Sequence, residues 1–331
     1  METRTLGRTG LTVSVLGFGC GAVGGLMVRG NPADQERAVA RAVELGINYF
    51  DTAAMYGNGE SERHLGRVLK SLKPAIFVGT KVRVPDSERS RIGAAIAASL
   101  EASLQRLQLD RVDLFQLHNH ITADDGDGGF TPETVLGEVV PAFERLRQQG
   151  KTRFCGITAV GDTTALHRVV DARAFDTAQV SYNVLNPSPG STVASGYPAH
   201  DFGNLLAHTR AASMGVIAIR VLAAGALSGV ETRHALGSPS VEPIGSGSAY
   251  RIDVDRAQRL EPLVREGYAD SLIELAVRFV ISNEAVSTAL VGYSTLEHLE
   301  YAASAVNKGP LQREALERLA ALQNSFVGEA R

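Results

Sequence analysis

Along most of the 331 residues, short apolar runs alternate with longer stretches whose apolar residues recur every three or four positions. Short runs of this kind read as strands buried on both faces, and the longer periodic stretches read as amphipathic helices. The first run, 15–18, breaks at a glycine-rich loop from Cys20 to Gly25. Asn31 then caps and Pro32 opens a helix with Val39 and Val43 on its apolar face and Gly46 at its stop. A strand over 47–50 follows, and a helix over 60–72 carries Leu65, Val68, Leu69 and Leu72 on one side. A strand at 75–79 precedes a helix marked by Ile92, Ile96, Leu100, Leu104 and Leu107. The alternation continues through strands at 112–117, 154–157, 178–180, 216–219 and 288–291. Their helices fall near 138–149, 163–172, 203–213, 271–282 and 295–306.

Strands separated by helices imply right-handed parallel crossovers, and eight such units predict an α/β fold of the (β/α)8 TIM barrel type. The alternative is a doubly wound open sheet. One domain over 1–331 accounts for the pattern, since no linker or repeat calls for a second. Thr3–Leu6 and Leu11–Val15, on either side of Gly7-Arg8-Thr9-Gly10, predict an N-terminal β-hairpin. Surplus chain lies in three loops, 119–137, 184–202 and 228–269, each after a strand, so a barrel would crowd them on its C-terminal face. Pro310 to Phe326, with Leu311, Leu316, Leu319 and Leu322 as its stripe, predicts an extra C-terminal helix.

Composition narrows the function more than the fold. A formal net charge of -3 leaves no electrostatic footprint for nucleic acid or an anionic membrane. Two cysteines, Cys20 and Cys155, are too few for a disulfide framework or a thiolate metal site. No run reaches the roughly 18 apolar residues of a membrane helix, and the best stretch, Met214 to Leu227, carries Arg220. Met1-Glu2-Thr3-Arg4 lacks the basic and apolar regions of a signal peptide, so the expected location is cytoplasmic. Oligomeric state is left open.

Four polar side chains stand where core would be expected. Asp51 ends the second strand, Tyr56 lies in the loop after it, Lys81 falls two residues past the third strand, and His118 ends the fourth. All strands of a parallel barrel point the same way, so their C-terminal ends share one rim. Each residue alone has a plainer reading as a cap, a solvated charge or a packed aromatic. Placed together they make a specific device. A phenol has a reference pKa of about 10, a nearby cation favours its phenolate, and Lys81 held by Asp51 would supply that cation. His118 would orient the same substrate oxygen. The result is an acid aimed at a polarised carbonyl. His118-Asn119-His120 is not read as a metal motif, because no supporting Cys or carboxylate cluster follows, and no metal is expected; Asn119 and His120 are expected to line or flank the pocket.

These residues lie in segments that resemble the aldo-keto reductase superfamily. The resemblance runs over nearly the whole chain, through Leu6-Gly7-Arg8-Thr9-Gly10-Leu11, Leu16-Gly17-Phe18-Gly19, Asn48 to Ala53, Tyr56-Gly57, Glu60 with Glu62, Gly79-Thr80-Lys81, Asp113-Leu114 with Gln116-Leu117-His118, and Gly150-Lys151. It implies a metal-free barrel that reduces an aldehyde, ketone or sugar carbonyl with a nicotinamide cofactor, or oxidises the alcohol in reverse. The family tetrad maps onto Asp51, Tyr56, Lys81 and His118, with Tyr56 as proton donor.

The resemblance implies cofactor contacts at Gly21, Asp51, Thr158, Gln179, Ile219, Arg220, Leu222, Gly225, Gly292, Ser294 and His298. Several depart from the family pattern. Thr158-Ala159 replaces Ser-Asn, Ile219 stands where many members stack a tyrosine, and the loop after Val291 has no Lys or Arg for a 2′-phosphate. Ser294, Thr295, His298 and a helix N-terminus remain there for an anion. Family frequency favours NADP(H), and the missing cations keep NAD(H) as the alternative. The 228–269 insertion is expected to fold over the cofactor. Two other functions stay open: a cofactor-binding regulatory subunit with little turnover, and a Schiff-base aldolase working through Lys81.

Overall fold

The computed structural model describes residues 1–329. Eight parallel strands close into a barrel: β1 (Leu16–Gly19), β2 (Tyr49–Asp51), β3 (Phe77–Val82), β4 (Val112–Leu117), β5 (Thr152–Ala159), β6 (Thr177–Ser181), β7 (Gly215–Ile219) and β8 (Thr288–Gly292). Each strand pairs with its neighbours in chain order, and β8 pairs with β1 to close the ring. The outer helices are α1 (Pro32–Glu44), α2 (Glu60–Leu72), α3 (Ile92–Leu107), α4 (Val140–Gln148), α5 (Thr163–Asp171), α6 (Leu205–Ala211), α7 (Leu272–Ile281) and α8 (Leu296–Asn307). A further helix, α9 (Arg313–Asn324), follows. The expected (β/α)8 barrel is the fold.

Local sequence accounts for the helix ends. Asn31 accepts from the Asp34 amide at 2.9 Å and Pro32 occupies the first turn, so α1 starts there. Two stretches differ from expectation. The helix expected from 138 begins at Pro132 and passes through a π turn at Val135–Val139. Pro141 has no N–H to give, and a widened turn before it avoids the lost bond and the ring clash of a regular helix. The 228–269 segment, expected as loop, contains helices at Tyr250–Gln258 and Glu261–Arg265. Val254, Ala257, Leu260 and Leu263 are all buried at threefold spacing, a stripe that the surrounding charges obscure in the sequence.

Alternation along the strands sorts the barrel interior. Leu114, Ile217 and Tyr49 pack from inside onto Leu6, Leu11 and Val13 of the N-terminal hairpin (Thr3–Thr5 with Thr12–Ser14), which seals the N-terminal end. Gly7 lets it dock closely: at φ +49°, a Cβ there would lie 2.1 Å from the Gly215 nitrogen. Tyr49 fills the middle of the barrel because glycines face it. A Cβ on Gly79 would meet the Tyr49 hydroxyl at 2.6 Å, and one on Gly17 its ring at 3.3 Å. Arg4 ties the hairpin to the chain after α7, donating to the carbonyls of Ile281 at 2.8 Å and Val286 at 2.9 Å. Among the described residues no helix is long and apolar enough to cross a membrane.

Candidate active site

Asp51 is the last residue of β2 and lies two positions beyond Tyr49, so both side chains point into the barrel. Lys81 sits within β3, not beyond it as the sequence suggested. The strand continues to Val82 because Lys81 and Val82 pair with Gln116 and Leu117 of β4. Phe77, Gly79 and Lys81 therefore share the inward face.

Asp51 and Lys81 are each 1 % exposed, and they form a buried ion pair. The carboxylate is fully engaged. Its Oδ1 accepts from Lys81, and its Oδ2 accepts from Tyr49 Oη at 2.8 Å, Gln116 Nε2 at 3.1 Å and Gln179 Nε2 at 2.7 Å. Lys81 also donates to the Thr52 carbonyl at 2.8 Å and to Tyr56 Oη at 3.2 Å. Burial alone would lower the Lys81 pKa, but the charge of Asp51 and the Tyr56 oxygen outweigh it and the net shift is upward. Tyr49 and Gln116 are the residues that sequence reasoning missed. Their signal was the spacing of two on one strand and the register opposite Lys81, hidden because both look like ordinary strand positions.

His118 follows β4 and meets the Tyr56 ring edge-on, centroids 5.9 Å apart and planes at 84°. Burial, with help from Lys81 and Arg83, pulls its pKa down to about 3, so the imidazole is neutral near pH 7. Its Nδ1 is buried without a hydrogen-bond partner. Asp51, Lys81, Tyr56 and His118 thus stand together at the C-terminal mouth, with ammonium, phenol and neutral imidazole converging. Cys20, also at this end, is buried, with a thiol pKa pushed up by burial and by Asp51.

The residues expected at a cofactor are brought together less uniformly. Gly21 lies against Tyr56, 3.6 Å from the ring to a notional Cβ. Thr158, at the top of β5, has a buried hydroxyl with no partner, which is the donor a nicotinamide carboxamide would use. Gln179 was expected at the same carboxamide, yet its Nε2 is given to Asp51. Ile219 closes β7 and packs on the apolar floor. Arg220 follows with φ +57°; burial pulls its guanidinium pKa down, and Nη1 donates to the Glu242 carbonyl at 3.1 Å. After Leu222, the residues Ala223, Ala224 and Gly225 all take positive φ, a strain typical of ligand-holding loops. Gly225 backs onto the Tyr250 hydroxyl. At the end of β8, Gly292 is exposed and His298 is exposed in the first turn of α8, while the Ser294 hydroxyl is spent on the Gly24 carbonyl at 2.7 Å.

The loops divide similarly. Asn119, expected to flank the pocket, is fully buried and staples Val84 through bonds of 2.9 and 2.8 Å. His120 keeps one side open to solvent, and the partial burial of its ring, with the charge of Arg83, lowers its pKa. Asp125 in the acidic loop is tied to the Thr131 amide at 2.9 Å and to Thr134 Oγ1 at 3.0 Å, so it stabilises a turn. In 184–202, Asn186 and Ser188 are wholly buried and bond the backbone, which makes that part scaffold and not pocket wall. Within the insertion after β7, Ser238 donates to the carbonyls of Ala22 and Val23 at 3.0 and 3.2 Å, making a strap between the β7 and β1 loops. Among the described residues no group of three or more His, Cys, Asp or Glu is placed to hold a metal ion.

Comparison with known proteins agrees with this geometry. The family model described as Aldo/keto reductase family matches residues 15–324. L-galactose dehydrogenase of Arabidopsis thaliana is 29% identical over 314 residues, covering 93% of this chain and 89% of that protein. The holo form of aldo-keto reductase AKR11C1 from Bacillus halodurans superposes with a TM-score of 0.72 at 26% identity, covering 97% of this chain and 96% of that one. An aldo/keto reductase from Klebsiella pneumoniae, solved in complex with NADP and acetate, shares the fold with a TM-score of 0.69 at 24% identity over 98% of this chain and 95% of its own. With its closed eight-stranded barrel and a family match along most of its length, the chain belongs to the aldo/keto reductase family and is an NAD(P)-dependent oxidoreductase.

Proposed function

We propose that the protein interconverts a small polar carbonyl and its alcohol, a sugar being the favoured substrate class, with NADP(H) as cofactor and Tyr56 as proton donor. The observation that carries this reading is the Lys81 ammonium, held by buried Asp51 and donating to the Tyr56 hydroxyl at 3.2 Å. The resemblance to L-galactose dehydrogenase over most of both chains supports a sugar. The cofactor supplies the hydride when bound; Thr158 and Ile219 are the residues proposed at its nicotinamide end, and Arg220 is proposed at a phosphate of it. The chain's own residues handle the proton. Tyr56 gives its proton to the substrate oxygen, the adjacent ammonium stabilises the phenolate that remains, and neutral His118 orients that oxygen through an N–H. In the direction of alcohol oxidation the same phenolate accepts the proton.

An aldolase role for Lys81 is disfavoured by the upward shift of its pKa, which removes the free amine that a Schiff base needs. Replacing Tyr56 with Phe deletes only the proton and its oxygen. Steady-state assays with a sugar and aldehyde panel should show kcat reduced about 10²- to 10⁴-fold, with cofactor affinity by fluorescence titration unchanged. Turnover retained by Tyr56→Phe would remove Tyr56 from the role. Tight cofactor binding by the parent protein without turnover of any panel member would favour a regulatory subunit instead.

A further inference from the structure

We infer that the 2′-phosphate of NADP(H) is held in this chain by Arg29 and Arg233, with His234 beside them, and not by the opening turn of α8. This rests on the cofactor reading above and deepens it.

The start of α8 is poorly equipped for a phosphate. Ser294-Thr295-Leu296-Glu297-His298 contains no Lys or Arg and includes a carboxylate. The Ser294 hydroxyl is engaged with Gly24, and Thr295 Oγ1 caps the His298 amide at 3.3 Å. The strap brings charge to the same place from elsewhere in the sequence. The His234 ring lies 6.0 Å from that of His298, so this segment borders the α8 terminus. A cavity of about 530 Å³ opens there, lined in part by Arg29, Glu231, Arg233, His234 and Tyr250. That volume is within the range of small-ligand sites.

The charge balance of this cavity is positive. Arg29 donates to the carbonyls of Leu236 at 2.8 Å and of Ala22. Arg233 donates to those of Ser238 and Ala224, both at 2.6 Å, and more weakly to Val23 at 3.4 Å, with its guanidinium 5.1 Å from the Tyr250 ring centre. Neither arginine is ion-paired among the described residues. The one carboxylate on the cavity wall, Glu231, has its own cation in Arg251 at 3.7 Å. Carbonyl bonds fix the two guanidinium groups without cancelling their charge, so a phosphate would meet preplaced donors of the type that binds it bidentately. The same bonds also pin the strap, and the test must separate the two roles.

The intact protein and the variants Arg233→Gln and Arg29→Gln should be titrated with NADP⁺ and NAD⁺, and with adenosine 2′,5′-bisphosphate against adenosine 5′-monophosphate, by calorimetry. The parent should prefer the 2′-phosphorylated member of each pair. Each substitution should weaken that member about 10- to 100-fold while changing its partner less than about threefold. Parallel weakening of both members would make the arginines strap fasteners only and overturn the inference, as would unchanged affinities or a parent preference for NAD⁺. If Arg233→Gln has no cooperative melt, Arg29→Gln, at an exposed side chain, carries the test. A parent that binds neither dinucleotide would instead remove the cofactor reading, and the inference with it.

Discussion

At the scale of single residues, the chemistry was legible and its support was not. Asp51, Tyr56, Lys81 and His118 announce themselves because charged and phenolic groups at strand ends have no place in a core. Tyr49 and Gln116 hold Asp51 through bonds that only the register of β2 and β4 reveals. Gln179 is the opposite case: its residue type suggested a cofactor contact, but its amide is turned to Asp51. His118 gives a testable pH signature. Folding lowers its pKa from 6.5 to about 3, so between those values the unfolded chain takes up a proton that the folded one refuses. Stability from this group is full above about pH 6.5 and is lost as pH falls toward 3. Thermal melts between pH 6.5 and 4 should show a shallower decline for His118→Asn than for the parent. Equal slopes would mean that the imidazole titrates normally in the fold.

At the scale of elements, period and caps located nearly every strand and helix, because apolar spacing is set by the geometry of each element itself. The errors fell where something other than apolar period decided. Pro141 lies just past a π turn that periodicity does not encode, and of the two helices from Tyr250 onward the first packs on the β7 loop and the second on α7 and α9. Strand glycines illustrate the same point. Gly79 reads as a weak strand residue, yet its missing side chain is the space taken by the Tyr49 hydroxyl. Gly79→Ala should destabilise the barrel by about 1–3 kcal/mol, the usual cost of overpacking. Adding Tyr49→Phe, which removes the clashing oxygen, should recover part of that loss, and urea melts of the four members of the cycle would measure the coupling. Strict additivity would show that the two positions do not share space.

For the molecule as a whole, the barrel and its layer of helices shield both thiols. Cys20 and Cys155 are 1 % and 4 % exposed, and burial raises both thiol pKa values. A thiol reagent at pH 8 should therefore label neither in the native protein and both in denaturant. Rapid native labelling of Cys20 would indicate that the mouth beside Asp51 opens often. The barrel was predictable as a count of eight units, but the non-local placement of cations on the strap was not. Nothing in the order of residues tells that Arg233 will lie against Val23, which precedes it by 210 positions.

The tie between Arg4 and the carbonyls after α7 spans 279 residues to Asn283 and 282 to Val286. Together with the β8–β1 pairing, it makes the first strand depend on the last. A ribosome therefore releases β1 long before its second hydrogen-bonding neighbour exists, and the hairpin must wait with Leu6, Leu11 and Val13 unburied. Loop closure over such a distance is slow, so the nascent chain carries an open sheet edge for most of its synthesis. A circular permutant that links the native termini and opens the chain in a mid-barrel loop would place the hairpin and β1 after β8 and shorten that exposure.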